Sequence, residues 1–373
     1  MVAVRYHLGK FPPDKRLDWP RLLPLIGPAN AAIARYDGVL HGIPNPNVLL
    51  SPLTTREAVL SSRIEGTQAT FGEVLEFEAE GEPGDESTPK KADIHEVLNY
   101  RGALIEASHR LDELPLSQRL IKLAHARLMQ GVRGHGKAPG EYRRIQNWIG
   151  PAGCAIEEAR FVPCPTDAVP AAMDAWEEYI HEPAPDALVQ LAVLHAEFEA
   201  IHPFLDGNGR LGRLIIPLFL KAKGLLSAPN FYLSEYLESH RDEYYERLLA
   251  VSRDDDWTGW CRFFLDAIIK QAAANQEKAQ AIHALYTARK DWMVEATRSQ
   301  YGMRALDWFF SRPIFMASDF VTQAEIPAAT ARRILQLVRD SGLLREIRPA
   351  SGSRPATLAF PELLNICEGR DAF

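Results

Sequence analysis

Apolar residues recur at three- and four-residue spacing along most of the chain, which is the pattern of amphipathic helices that pack on a core. Residues 1–50 differ because they contain many prolines and few long periodic stretches, so we expect an irregular arm with one short helix at residues 30–36. From residue 51 onward the spacing predicts a mainly α fold. The predicted helices cover residues 51–65, 71–80, 92–111, 117–131, 167–181, 186–202, 210–223, 235–252 and 256–285.

Residues 142–163 interrupt this helical pattern. Two short runs with extended-chain character, residues 142–149 and 160–162, are separated by a Gly-Pro-Ala-Gly turn at residues 150–153. Extended runs on either side of such a turn predict a β-hairpin within an otherwise helical domain.

The C-terminal segment has a pattern of its own. Gly342 stands where a third predicted helix should end, and two short extended runs then flank a loop rich in Pro, Ser and Gly. Three helices followed by a small hairpin form the layout of a winged helix-turn-helix domain. The three helices are predicted at residues 301–310, 317–324 and 328–341, and the extended runs at 344–347 and 356–360.

The composition is that of an ordinary soluble globular protein, with 46% hydrophobic and 24% charged residues. A chain of 373 residues usually forms two or three structural units. The first ten residues lack the apolar core of a signal peptide, and the run at residues 214–220 is too short to span a membrane. The four cysteines fit neither a zinc site nor a disulfide framework. We therefore expect a cytoplasmic protein without membrane contact.

Charge is distributed unevenly. The net charge of -7 argues against a chain that coats nucleic acid over its whole surface. Residues 327–356 are the opposite in sign, since six arginines face only Asp340 and Glu346, a local net charge of +4. This segment belongs to the predicted winged helix.

Residues 202–213, with the sequence HPFLDGNGRLGR, concentrate groups suited to nucleotide chemistry. One helix should end before Pro203, because the residue that precedes a proline is pushed away from the helical region, and a new helix begins near Arg210. Gly207 and Gly209 lie between them and can turn successive backbone N–H groups to one side. Such a nest at a helix N-terminus binds phosphate.

Charged side chains surround this predicted nest. Arg210 and Arg213 are three residues apart, so both can grip one polyphosphate. Asp206 is suited to hold Mg²⁺ against phosphate oxygens. A neutral His202 can take the proton from an attacking hydroxyl. Each of these residue types alone is usually structural, but their coincidence within twelve residues predicts a nucleotide site.

The same segment resembles the Fic family signature His-x-Phe-x-(Asp/Glu)-Gly-Asn-Gly-Arg-x-x-Arg at every fixed position. The resemblance implies a protein adenylyltransferase, which moves AMP from ATP to a Ser, Thr or Tyr hydroxyl with Mg²⁺ as the metal. It implies that His202 is the general base, that Phe204 anchors the loop in the core, and that Asp206 binds Mg²⁺. The α- and β-phosphates would be held by Gly207, Asn208, Gly209 and Arg210, and the γ-phosphate by Arg213.

Two further segments resemble parts of the family. The predicted hairpin at residues 142–163 resembles the flap that covers the site and holds the target by strand addition. Tyr244 and Tyr245 resemble a tyrosine pair that lines the adenine pocket, although tyrosines at helical spacing are more often part of a core.

Residues 61–66, SSRIEG, resemble the inhibitory motif (Ser/Thr)-x-x-x-Glu-(Gly/Asn) of Fic proteins with an N-terminal inhibitory helix, with Ser61, Glu65 and Gly66 at its fixed positions. Gly66 also suits a helix C-terminus. If Glu65 meets Arg213, its carboxylate takes the place that the γ-phosphate needs, and AMP transfer is inhibited. Some family members also use this glutamate to remove AMP.

The resemblance covers about residues 1–290. It implies a Fic-type helical bundle at residues 92–290, preceded at residues 1–91 by the arm and inhibitory helix, with the winged helix at residues 295–373 outside it. A second hypothesis is a DNA-binding transcriptional regulator in which the Fic unit is a sensor. It rests on five arginines of the predicted recognition helix and wing: Arg332, Arg333, Arg339, Arg348 and Arg354.

Winged helices also dock proteins, and the sequence leaves that choice open. It also leaves open the target protein, modification of the chain itself, AMP removal, and the homodimer that is common in this class.

Overall fold

The computed structural model describes residues 3–81, 88–131, 136–151, 153–352 and 354–373, and these are mainly helical, as the sequence predicts. The helices are α1 Trp19–Gly42, α2 Pro46–Leu49, α3 Ser51–Ile64, α4 Phe71–Glu80, α5 Pro89–Arg110, α6 Gln118–Leu128, α7 Val169–His181, α8 Ala187–Ile201, α9 Asn208–Ala222, α10 Ser234–Ser239, α11 Arg241–Asp254, α12 Trp257–Thr297, α13 Gly302–Ser311, α14 Ala317–Gln323, α15 Ala328–Asp340 and α16 Pro361–Glu368. The strands are β1 Val4–Arg5, β2 Phe161–Val162, β3 Ile314–Met316, β4 Arg345–Arg348 and β5 Thr357–Ala359. None of the described helices is both long and apolar enough to cross a membrane.

Two compact units make up the chain. The first contains Met1–Asp37, Leu60–Thr67 and Asn99–Ala273, and the second contains Gly38–Val59, Gln68–Leu98 and Ala274–Phe373. The domain limits predicted at residues 91 and 295 do not coincide with these units. They stay predictions, because compact packing does not by itself define a segment that folds or functions separately.

Helix α8 lies at the centre of the first unit. Nearly all of its residues are buried, and it packs against α7 and α9. A helix that is mainly apolar and buried on every side belongs in a core. Asp186 caps its first turn and accepts hydrogen bonds from the backbone N–H groups of Leu188 and Val189 at 3.0 and 2.9 Å. The loop at residues 202–207 therefore starts from a firmly held helix end.

The irregular arm predicted at residues 1–50 is wrong, since α1 occupies residues 19–42. A proline inside a helix normally costs about 3 kcal/mol, and this helix contains Pro24 and Pro28. Both lie on its exposed face. The opposite face is buried and carries Leu22, Ala29, Ile33, Tyr36 and Leu40. Burial of that face outweighs the hydrogen bonds that the prolines cannot make.

The start of the arm is also ordered. Strand β1 pairs in parallel with β2, Val4 opposite Phe161. The buried carboxylate of Glu197 on α8 lies 2.7 Å from His7 Nε2 and accepts a hydrogen bond from the Tyr6 hydroxyl at 2.5 Å. A buried carboxylate needs such partners, so these contacts tie the first residues to α8.

The β-hairpin predicted at residues 142–163 differs in the structure. Among the described residues of this segment, the antiparallel pairing is a single bridge between Ile149 and Phe161. Strand β2 pairs with β1 instead. Pro163 and Pro165, which follow β2 closely, have no N–H group to extend a ladder. Within residues 142–149, the side chain of Arg143 holds the segment against the end of α8, as described below.

Within the second unit, β3, β5 and β4 form an antiparallel sheet in that order. The chain order is α13, β3, α14, α15, β4, β5, which is consistent with the predicted winged helix. The sequence prediction missed β3 and α16. A three-residue strand is too short for a periodic signal, and α16 has only eight residues.

Glu80, the last residue of α4, binds the sheet of this second unit. Its carboxylate is only 5% exposed and accepts hydrogen bonds from the guanidinium groups of Arg348 and Arg354 and, at 2.8 Å, from the Thr357 hydroxyl. Arg348 also donates to Glu76 at 3.3 Å. Both arginines of the predicted wing are therefore paired with carboxylates of their own unit.

Candidate active site

The loop between α8 and α9 begins with an unusual backbone conformation. His202 follows the last residue of α8 and has a φ of 51°, in the left-handed region, where a side chain other than glycine is uncommon. The buried Arg143 side chain stabilises this helix end. Its Nε donates to the carbonyl of His202 at 2.9 Å, and Nη2 donates to the carbonyls of Ile201, at 3.3 Å, and Cys164. A guanidinium that satisfies the last carbonyls of a helix is a C-terminal cap.

Phe204 anchors the loop, as the family resemblance implies. Its ring is fully buried and stacks on the His125 ring, with centroids 3.8 Å apart. The Asn208 side chain closes the loop against it, since Oδ1 accepts from the N–H of Phe204 at 2.8 Å and Nδ2 donates to its carbonyl at 2.9 Å. Asn208 thus holds the loop, rather than pointing freely into the site.

His125 supports the same loop from α6. Its Nδ1 accepts a hydrogen bond from the N–H of Gly140 at 2.8 Å, so its Nε2 carries the proton and donates to the carbonyl of Asp206 at 3.0 Å. Burial lowers the pKa of His125 to about 4, which keeps the imidazole neutral and fixes these two roles. His125 was not among the predicted site residues, because nothing in its local sequence pattern separates it from a core histidine.

His202 lies at the cavity wall as a neutral imidazole. Burial is the main cause that lowers its pKa to about 4. Its Nδ1 lies 3.3 Å from the carbonyl of Glu199, a contact that requires a proton on Nδ1. Nε2 is then the unprotonated nitrogen, and it is available as a base.

Asp206 is ionised at neutral pH. Burial opposes its charge, but Arg210 and Lys137 outweigh burial and lower the pKa of this carboxyl below its usual value. Oδ1 accepts from the N–H of Gly207 at 2.6 Å and lies 3.6 Å from Arg210, while Oδ2 lies 3.2 Å from Lys137 Nζ. The carboxylate is partly exposed and lies beside the start of α9.

Helix α9 begins at the predicted nest. Gly207 is its N-cap with a φ of 77°, a conformation that favours glycine, and a Cβ there would lie only 3.0 Å from Met129 Sδ. Asn208 and Gly209 form the first turn, where backbone N–H groups have no helical partner. This helix end favours an anion, as the sequence analysis expected.

Glu65 occupies the space beside this helix end. Its Oε1 accepts a hydrogen bond from Arg213 Nη2 at 2.7 Å, and a Cβ built on Gly209 would lie 2.2 Å from the same oxygen. Arg213 is almost fully buried, with Nε donating to the Ser61 hydroxyl at 2.9 Å and Nη2 to the Ser61 carbonyl at 2.8 Å. The contact that the inhibitory motif implied is therefore present between residues 148 positions apart.

The two tyrosines of α11 face the same cavity in different ways. Tyr244 is buried, and its hydroxyl lies 2.9 Å from His195 Nε2. Because His195 Nδ1 lies 3.2 Å from the carbonyl of Gly212, the proton belongs on Nδ1, and the Tyr244 hydroxyl donates to Nε2. The Tyr245 hydroxyl donates instead to the carbonyl of Ile64 at 3.3 Å, next to Glu65.

One cavity of about 510 Å³, a volume typical of small-ligand pockets, is lined by Glu65, His202, Gly209, Arg213 and both tyrosines. Asp206, Gly207, Asn208 and Arg210 are not among its lining residues. The lining combines charged and basic groups with apolar side chains. The lining residues are Glu65, Ile149, Gly150, Pro151, Arg160, Phe161, Ala196, Glu199, Ala200, His202, Gly209, Arg213, Arg241, Tyr244, Tyr245, Leu248 and Leu249.

The structure thus brings His202, Gly209 and Arg213 to one cavity, and Glu199 lines the same cavity. Arg143, which supports the end of α8, lay in the predicted hairpin and carried no signal of its own. Glu199 lay in a mainly apolar helix, where a charged residue is a cue for a site, although Glu197 gives the same cue.

Two family models match the chain. The model described as "Fic/DOC family N-terminal" matches residues 23–109, and "Fic/DOC family" matches residues 115–220, together more than half of the chain. A curated "Probable protein adenylyltransferase" of Aquifex aeolicus is 24% identical over 210 residues, which cover 55% of this chain and 59% of that protein. "Protein adenylyltransferase Fic" of Culex quinquefasciatus is 29% identical over 133 residues, which cover 34% of this chain and 23% of that protein.

The fold is similar to a solved structure of a Fic family protein from Desulfovibrio desulfuricans. The TM-score is 0.56 at 20% identity, and the match covers 91% of this chain and 96% of the other. At this identity the likeness concerns the fold. The chain spans less than two thirds of the two adenylyltransferases, so their activity does not transfer to it by similarity alone.

Proposed function

Because this chain belongs to the Fic/DOC family, we propose that it transfers AMP from ATP to a Ser, Thr or Tyr hydroxyl of a protein, and that Glu65 inhibits the transfer. One observation carries the proposal. A neutral histidine, a helix N-terminus and a buried arginine open on a single cavity of nucleotide size. These are the parts that an attack on a phosphate ester requires.

The reaction needs one base and no covalent intermediate. The acceptor hydroxyl oxygen forms a bond to the α-phosphorus of ATP, its proton passes to Nε2 of His202, and the bond from the α-phosphorus to the bridging oxygen breaks. Pyrophosphate leaves. The protein contributes by positioning the two reactants and by stabilising the charge on the phosphates.

In this proposal the phosphate chain lies along the start of α9. The N–H groups of Gly207, Asn208 and Gly209 face the α- and β-phosphates together with Arg210, and Arg213 binds the γ-phosphate. The buried position of Arg213 supports this role, because a guanidinium shielded from water binds an anion more strongly.

Asp206 is suited to bind the Mg²⁺ ion that the family resemblance implies. Among the residues that the structure describes, no group of three or more His, Cys, Asp or Glu side chains could hold a metal. One carboxylate together with substrate phosphates is how Mg²⁺ usually binds in nucleotide enzymes, and Asp206 supplies that carboxylate. Lys137 Nζ, 3.2 Å from Oδ2, would have to move aside. The metal would neutralise phosphate charge.

The apolar part of the cavity lining suits the adenine ring. Tyr245, Leu248 and Leu249 contribute ring and aliphatic surface to this lining. The Tyr244 hydroxyl is engaged by His195, so we assign Tyr244 a supporting role in the wall of the pocket.

Glu65 supports autoinhibition because its carboxylate and a γ-phosphate would compete for the same guanidinium and the same volume. Removal of AMP from a modified protein, known in some relatives of this type, would use the same glutamate to orient water. Release of AMP from purified modified protein in the absence of pyrophosphate would test this second activity.

The central test is mass spectrometry of the purified Glu65→Gly chain after incubation with ATP and Mg²⁺, alone and with a lysate of candidate targets. We expect the mass of one adenylyl group on this chain or on a target, and the modified peptide identifies the acceptor. His202→Ala in the same background is the control. Failure to modify any protein while ATP is bound would contradict the proposed reaction.

A further inference from the structure

Glu199 lines the cavity but has no role in the reaction described above. It lies on α8, one helical turn before His202. Its Oε1 is buried and has no hydrogen-bond partner anywhere in the part of the chain that the structure describes. It packs on the bare Cα of Gly212, where a Cβ would come within 2.2 Å of this oxygen. Few buried carboxyl oxygens in native proteins lack a partner, and Glu199 belongs to the lining of the cavity, so a ligand there can supply the hydrogen bond that its carboxyl group lacks.

The charged and titratable groups around Glu199 come from three elements. Arg213 reaches it from α9, Glu65 from the end of α3, and Tyr244 from α11, while His202 follows on its own chain segment. Burial is the largest effect and raises the pKa of Glu199 to about 8, with Glu65 adding to the increase and Arg213 opposing it. Near pH 7 the side chain is therefore mostly a neutral acid that can donate a hydrogen bond.

We propose that Glu199 binds the nucleotide as a protonated carboxylic acid that donates a hydrogen bond to an oxygen of the phosphate chain. This inference rests on the proposed function, which places the phosphate chain along the start of α9 and its γ-phosphate at Arg213. Glu199 and Arg213 line the same cavity, and Arg213 acts electrostatically on the Glu199 carboxyl group. An ionised Glu199 would repel the same phosphates. Nucleotide affinity therefore depends on whether the Glu199 carboxyl group is protonated.

The sign of the pH effect follows from linkage. Phosphate charge beside Glu199 raises the pKa of its carboxyl group further in the complex. Nucleotide affinity is therefore highest at pH values where Glu199 of the free protein is protonated. Affinity falls as pH rises above the pKa of the free protein, which is about 8 with Glu65 in place and lower without it. Burial lowers the pKa of His202 to about 4, and Asp206 also titrates below its usual range, so neither group accounts for a change in this window. Burial raises the pKa of Tyr245 to about 12, above the window.

The test measures binding of a non-hydrolysable ATP analogue by calorimetry at pH 6.5, 7.5, 8.5 and 9.5 in the full chain carrying Glu65→Gly, which frees Arg213. We expect at least about a tenfold loss of affinity between pH 7.5 and 9.5. Adding Glu199→Gln, whose amide keeps a neutral donor, should preserve affinity at pH 7.5 to within about threefold and remove the pH dependence. Adding Glu199→Ala should weaken binding about tenfold at pH 7.5.

Glu243→Gln is the matched control, because it makes the same chemical change on an exposed face of α11. It should leave the pH dependence of the Glu65→Gly protein unaltered. Two results would overturn the inference. The first is an affinity of the Glu65→Gly protein that stays constant with pH. The second is a decline of affinity with pH that is equally large when Glu199→Gln is added. Absence of nucleotide binding at every pH would instead overturn the proposed function on which the inference rests.

Discussion

At the scale of single residues, His202 and the phosphate-binding groups have separable tasks. The imidazole acts on the incoming hydroxyl, whereas the start of α9 holds the nucleotide. His202→Ala in the Glu65→Gly background should therefore lower AMP transfer by at least about a thousandfold and change ATP affinity by less than about threefold. Labelled ATP measures transfer and calorimetry measures binding. Retained transfer in a folded variant would remove His202 as the base.

Substitutions of Glu65 and Arg213 distinguish a regulatory role of their ion pair from a purely structural one. Glu65→Gly should raise AMP incorporation by about tenfold or more, because Arg213 and the space taken by the Glu65 carboxylate then become available to the γ-phosphate. Arg213→Ala should lower incorporation, although it also frees Glu65.

An exposed ion pair contributes only about 0–1 kcal/mol to stability. If the pair only stabilised the fold, both changes would lower activity and melting temperature alike. Arg213 is buried, however, and its loss should also lower the melting temperature. Melting curves on the same samples provide the control. If Glu65→Gly stays folded and gains no activity, α3 is not an inhibitory helix.

At the scale of an element, the C-terminus of α8 depends on Arg143. Arg143→Ala leaves the carbonyls of Ile201, His202 and Cys164 without their donor, so we expect a loss of about 3 kcal/mol in the free energy of unfolding and weaker ATP binding. Arg144→Ala is the neighbouring control, since its side chain is 88% exposed, and it should stay within about 0.5 kcal/mol of the unmodified chain. Equal effects of the two changes would contradict the capping role.

The elements themselves were predictable to different degrees. Helix α4 was predicted at residues 71–80 and occurs there, because Thr70 and Glu73 form a capping box and the apolar spacing is regular. Helix α1 was missed, since its prolines disfavour a helix locally and only burial of one face compensates. The segment predicted as one helix at residues 235–252 is divided at His240 into α10 and α11.

At the scale of the whole molecule, the winged helix predicted at the C-terminus bears on the DNA-binding hypothesis. Glu80 pairs with Arg348 and Arg354, and Arg339 pairs with Glu346 at 2.6 Å, so part of the local positive charge is neutralised. We expect gel-shift titrations of the full chain to detect no DNA complex at physiological salt. A complex whose affinity falls steeply with salt, and less steeply after Arg332→Ala and Arg333→Ala, would favour the regulator instead.

The sequence by itself determined the helical class and the loop at residues 202–213, because periodic apolar spacing and glycine conformations act over a few residues. The chemistry of that loop was readable for the same reason, since its base, its phosphate-binding turn and its arginines are contiguous.

Only the tertiary structure decided which distant groups meet. It brought Glu65 to Arg213, engaged the Tyr244 hydroxyl with His195, and placed Arg143 at the end of α8. It also buried Oε1 of Glu199 without a hydrogen-bond partner among the residues that the structure describes. Such contacts follow from packing between segments far apart in the chain, and burial sets the charge of each group. Local spacing carries neither kind of information.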